Sequence, residues 1–249
     1  MKPILAAGLL FAFGTCFGQD SALFSKTATS TWARGGAFTI ASPDKEKGIV
    51  VKSIEHPQGD ATAVVTVRAY GHEYETPIGA WVNAEAAWAP DSKAFFVTYS
   101  DGGNVGTYHL KVFYVEPGGL RVAEPFPNGR SLFKPRCFDP EEPNVAAIKW
   151  GADSSRIVIA VEVPTHSSCA SMGTFRAFEI SLKDRKILQR YDQLQAKQLF
   201  ADSIGEELRN ADDDCIRQPE LCSPPRFEPP SAGKPLKLLL NLVPVEISL

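Results

Sequence analysis

The chain has 249 residues, 44% of them hydrophobic and 22% charged, with a formal net charge of −3, an ordinary globular composition with enough length to bury a core. The weak negative balance gives no reason to expect a nucleic-acid partner, since backbone-phosphate binding depends on clustered Lys and Arg. Past the amino-terminal run, no segment is long and apolar enough to span a bilayer.

In chain order, Met1-Lys2-Pro3 is followed by an apolar run from Ile4 to Phe13 and then by Gly14-Thr15-Cys16-Phe17-Gly18-Gln19. That is a short n-region, an h-region too short to span a bilayer and a small-residue cleavage site. Residues 1–18 are therefore expected to be a cleaved secretory signal, with Gln19 first in an exported protein, periplasmic or extracellular, that has no membrane span after cleavage. Cys16 raises a lipid anchor as the alternative, but Phe13-Gly14-Thr15 lacks the Leu-small-small pattern before it.

Residues 19–191 form the predicted β-repeat domain, where short apolar or β-branched runs alternate with Gly, Pro, Asn and Asp. The clearest strands are 63–70, 94–99, 109–115, 157–163 and 175–180, and the segment from Asp101 to Gly106 reads as a hairpin loop. Residues 192–210 read as a helix, with Asp192 as N-cap, Gln195 completing a capping box, and Ala196, Phe200, Ile204 and Leu208 as an apolar stripe for packing on a sheet. Residues 211–235 are a disulfide- and proline-rich arm. Residues 236–249 open on the apolar run Leu236–Val243, predicted to return to the β domain as a terminal strand.

Four cysteines survive cleavage, Cys137, Cys169, Cys215 and Cys222, and in an oxidising compartment an even number favours pairing. Three connectivities are open. Cys215–Cys222 with Cys137–Cys169 is preferred, because the first pair closes a short loop of turn-forming residues. A zinc site is disfavoured by the spacing.

The most informative feature is an internal repeat. Trp88-Ala89-Pro90-Asp91-Ser92-Lys93-Ala94 aligns without a gap on Trp150-Gly151-Ala152-Asp153-Ser154-Ser155-Arg156, and a fainter copy runs Ala41-Ser42-Pro43-Asp44-Lys45-Glu46-Lys47. The fainter copy lacks the tryptophan and reads as carrying one extra turn residue. In this unit Pro43 or Pro90 pre-sets a turn, the side chain of Asp44, Asp91 or Asp153 caps it, and Trp88 or Trp150 covers apolar surface. The unit resembles the WD-like repeats of bacterial exported β-propellers, whose blades carry Trp-x-Pro-Asp-Gly-Lys between two inner strands. Ser92 stands where the glycine is usual, and Ala152 replaces the proline. The resemblance covers about residues 36–190 and implies interaction surfaces rather than a reaction. The expected fold is all-β with one carboxyl-proximal helix, as stacked antiparallel sheets in a partial β-propeller-like array, with a β-sandwich as the alternative. About three blades, or four with the carboxyl-terminal strand, stand below or at the bottom of the roughly four to eight typical of closed propellers, so a full ring is not expected.

No catalytic constellation emerges, and neither a cofactor nor a metal is expected. His72 is followed by Glu73, Tyr74 and Glu75, but adjacent strand residues point to opposite faces, so His72 faces away from Glu73 and shares the side of Tyr74. His166 lies near Ser167, Ser168 and Cys169, without a Gly-x-Ser-x-Gly elbow anywhere in the chain. Asp212-Asp213-Asp214, and likewise Asp101 with Asn104, lack the spacing of a calcium loop. Trp32, Trp81, Tyr99, Tyr108, Phe113 and Tyr114 include candidates for an exposed aromatic patch, although most are expected in the core. The reading is an exported, non-catalytic β-repeat protein that binds a protein or cell-envelope component. A secreted hydrolase with a site of scattered loop residues is the alternative.

Overall fold

The computed structural model describes residues 22–32, 37–55, 61–79, 81, 83–100, 102, 106–123, 132, 142–167, 169 and 171–218. The expected signal segment with Cys16, Cys137, Cys222 and the segment 236–249, expected to return as a strand, lie outside the described residues, as do the side chains of Trp32 and Cys215.

Strands of alternating pattern pair into three antiparallel sheets. The first contains β2 (Ala37–Ala41), β3 (Gly48–Glu55), β4 (Ala61–Ala69) and β5 (His72–Glu75), in that spatial order. The second contains β1 (Thr29–Trp32), β6 (Asn83–Trp88), β7 (Ala94–Ser100), β8 (His109–Glu116) and β9 (Gly119–Ala123). The third contains β10 (Asn144–Trp150), β11 (Arg156–Glu162), β12 (Phe175–Ser181) and β13 (Ile187–Tyr191). The expected all-β stack is what forms, and among the described residues it does not close into a ring.

Two-sided burial explains the stacking. Along β7, Phe95 and Val97 enter the core shared with the first sheet, while Phe96 enters the core shared with the third. Along β11, Ile157, Ile159 and Val161 face the second sheet, whereas Val158 and Ala160 face a third core closed by Phe24, Ala196, Ile204 and Leu208. The far face of the first sheet ends the stack differently. There Glu73 bonds Lys52 and Thr66, giving the kind of polar outer surface that terminates repeat arrays.

The three repeat turns are superposable in their bonding. Lys45, Ser92 and Ser154 adopt left-handed φ values of 63°, 61° and 59°, and their N–H groups donate to Ser42, Ala89 and Gly151 O. Each aspartate accepts from the N–H two residues on, at 3.0 Å for Asp44 and Asp91 and 3.2 Å for Asp153. Ser42, Ala89 and Gly151 in turn donate to Lys47, Ala94 and Arg156 O. These spacings are equal, so the first copy carries no extra residue, contrary to expectation.

The same unit also joins neighbouring sheets. Asp44 N–H donates to Ser92 Oγ and Asp91 N–H to Ser154 Oγ, each at 3.0 Å. Serine at a left-handed position, usually the place of glycine, thus carries the hydroxyl that links the sheets. Trp88 Nε1 donates to Ile40 O at 2.9 Å and Trp150 Nε1 to Ala87 O at 3.2 Å, the acceptors standing at equivalent places in successive copies.

The predicted helix at 192–210 divides into α1 (Gln193–Leu199) and α2 (Glu206–Asn210), and a further turn, α3 (Asp214–Arg217), falls in the arm. The capping box of Asp192 and Gln195 forms as expected. The division follows from competition for backbone groups. Gly205, Glu206 and Glu207 donate to Phe24, Ala22 and Leu23 O, and Lys26 donates to Ser203 O, so the intervening residues hold the amino-terminal segment instead of continuing the helix. Any side chain at residue 205 would meet Leu23 O and Ala22 O, which makes glycine necessary there. The stripe still packs on the third sheet, with Ala196, Ile204 and Leu208 buried. Among the described residues no helix is long and apolar enough to cross a membrane.

Candidate binding edge and its buried polar cluster

Strand direction distributes the connections unevenly. Among the described residues, one end of the stack holds only the short turns 42–47, 70–71, 89–93, 117–118, 151–155 and 182–186. The opposite strand ends carry the connections that follow β5, β7 and β11, of which 76–79, 106–108, 163–167 and 171–174 are described. Longer connections carry most recognition in rigid β scaffolds, so this loop end is the candidate site.

Beneath it the inner strands expose polar side chains to one another rather than to water. Asn83 Nδ2 donates to the Tyr108 hydroxyl at 2.8 Å, Tyr108 N–H to Asn144 Oδ1 at 2.9 Å, and Asn144 Nδ2 to Glu162 Oε2 at 3.0 Å. Glu162 Oε1 is buried with no hydrogen-bond partner among the described residues. Burial pushes Glu162 up to about 8, with the Asn144 hydrogen bond opposing and the charge of Glu207 adding. A second carboxylate, Glu85 on β6, accepts from the N–H groups of Leu23, Phe24 and Ser25. Burial nonetheless raises it to about 7, the three N–H bonds opposing. Both carboxyls are integral to the fold, one pinning the amino-terminal segment and the other joining β10 to β11.

Over this cluster a cavity of about 190 Å³ opens between Phe24, Tyr108, Asn144, Thr165, His166 and Glu207. His166 is exposed. Ser167 Oγ accepts from Cys169 N–H at 3.3 Å, and the Cys169 sulfur is held in a disulfide. The Cys169 sulfur is therefore not available as a nucleophile for His166, and Ser168 lies outside the described residues.

The remaining candidates disperse. His72 is exposed, and Glu73 pairs across the sheet with Lys52 at 2.5 Å. Asp213 is bonded by Lys197 and Gln193, both at 2.7 Å, and Asp212 accepts from Asp214 N–H. Among the described residues no three His, Cys, Asp or Glu side chains are placed to hold a metal. Asp101 and Asn104 lie outside the described residues. Trp81, Tyr108 and Phe113 are core residues, and the Tyr114 ring lies under Arg121 at 4.2 Å, so these aromatics form no continuous exposed patch. The sequence reading passed over Glu85, Glu162, Asn83, Asn144 and Glu207. A glutamate closing the apolar run from Ile157 to Val161 was the one local signal for the cluster.

No protein-family model and no curated protein matches the chain. Among solved structures, the acylaminoacyl peptidase of Pyrococcus horikoshii matches with a TM-score of 0.35 and 11% identity. The match covers 64% of this chain and 24% of that one, so the chain spans about a quarter of the peptidase's length. A similarity this loose bears on neither fold nor chemistry.

Proposed function

We propose that the chain is an exported, non-catalytic β-repeat protein that binds a protein or cell-envelope component through the loops at one end of its stacked sheets. The observation that carries this reading is the one-sided distribution of connections, with tight, cross-linked turns at one end and longer segments at the other. A rigid stack presenting loops along a single edge suits recognition, and Met172 in the 163–174 connection is an apolar side chain left 52% exposed. Hydrolysis is less well supported, since Glu85 and Glu162 hold structure and the Cys169 sulfur next to His166 is in a disulfide.

The test is capture from the native envelope by the purified protein. A Thr165→Ala/His166→Ala/Met172→Ser variant should retain the wild-type unfolding midpoint and lose at least about tenfold of the captured partner, the scale of one interface anchor. A Lys45→Ser/Lys93→Ser variant at the turn end should capture as wild type does. Equal capture by the loop variant, or ester or amide turnover lost on His166→Ala, would reject binding through this edge as the function.

A further inference from the structure

We propose that the cavity at the loop end takes a cationic side chain, the guanidinium or ammonium of an Arg or Lys on the bound partner. This inference deepens the binding reading and rests on it. At about 190 Å³ the cavity is smaller than the roughly 300–1,000 Å³ of pockets for drug-sized ligands, and suits one extended side chain.

Its walls favour positive charge. The Phe24 and Tyr108 rings meet edge to face with centroids 4.8 Å apart and give the lining an apolar aromatic side, against which the alkyl stem of an Arg or Lys packs. Glu207 contributes a half-buried carboxylate to the lining. Glu162 sits behind Asn144 with one oxygen unpartnered among the described residues. Burial raises the Tyr108 hydroxyl well above its ordinary value, so that wall stays neutral and Glu207 supplies the negative charge of the lining. No Lys or Arg lines the cavity among the described residues. An anion is disfavoured for a further reason: the first N–H groups of α2, Glu206 and Glu207, are spent on Ala22 and Leu23 O.

The test titrates the full mature chain, isotopically labelled, with the peptide acetyl-Gly-Gly-Arg-Gly-Gly-amide, its citrulline twin and free butylguanidine, following backbone amide resonances. The arginine peptide should shift Phe24, Thr165 and His166 saturably, and the citrulline peptide should bind at least about tenfold more weakly. Glu207→Gln, whose side chain makes no hydrogen bond among the described residues, should weaken the arginine peptide by about tenfold while leaving the unfolding midpoint unchanged. Tighter binding of the peptide than of butylguanidine assigns the cation to a partner chain, and equal binding, which points to a small free cation, overturns that assignment. Equal affinity for the citrulline twin, shifts confined to other residues, or no saturation overturns the cation site itself. Because these probes are defined compounds, the result is independent of envelope capture: a positive titration with failed capture defeats only the functional reading, and the reverse defeats only the cation site.

Discussion

Replacing Trp88 or Trp150 with alanine is expected to lower stability by about 3–5 kcal/mol, the usual cost of truncating a buried tryptophan. The two side chains are only 8% and 6% exposed. Each also loses an indole N–H bond to the preceding sheet, from Trp88 to Ile40 O and from Trp150 to Ala87 O. Against a domain stability of about 5–15 kcal/mol, either change removes a large share. The damage should differ in place. Trp88 packs against Phe95 at 5.2 Å in the core between the first and second sheets, while Trp150 meets Phe96 at 6.0 Å in the core between the second and third. Urea unfolding with hydrogen exchange checks both: Trp88→Ala should loosen β3 and β4 most, and Trp150→Ala should loosen β11 and β12. An unchanged midpoint for either would mean that its ring is not an inter-sheet anchor.

Stability should fall as pH rises from about 5 to 8, through Glu162 and Glu85. Their folded pKa values, about 8 and about 7, stand above the unfolded glutamate value. The protonated forms are therefore favoured by folding, and their contribution is complete below the unfolded pKa and lost as pH climbs through the folded one. Each group held protonated only in the fold contributes a slope of about −1.4 kcal/mol per pH unit, or up to about 4 kcal/mol for Glu162 between pH 5 and 8. Glu162→Gln keeps an oxygen for the Asn144 amide and removes the proton. Its unfolding free energy should lose one proton's worth of slope and exceed that of the wild type at pH 8. Parallel wild-type and variant profiles would show that Glu162 is not held protonated by the fold.

What the sequence revealed, and what it concealed, follows from the range of the interactions. Strand periodicity, the turn unit around Asp44, Asp91 and Asp153, and the capping box at Asp192 are set by residues within a few positions of one another, so a linear reading reaches them. The break between α1 and α2 depends instead on backbone groups of residues 22–26, nearly two hundred positions away, and periodicity alone reads straight through it. The candidate site is still less local. Glu85 meets Leu23–Ser25 across sixty or more positions, and the chain of bonds from Asn83 through Tyr108 and Asn144 to Glu162 crosses two sheets. Asparagine at the head of β6 or β10 has the local look of a turn residue. Only the stacking turns these side chains toward one another beneath the 163–174 connection.

The measurement that tests the central claim most directly is site-specific photo-crosslinking at the two ends of the stack. A photoreactive phenylalanine analogue at Met172, exposed at the loop end, should yield a discrete adduct with an envelope component, and the same analogue at Lys45, exposed in the turn between β2 and β3, should yield none. Adducts at Lys45 with none at Met172, or equal yields at the two positions, would contradict recognition through the loop end.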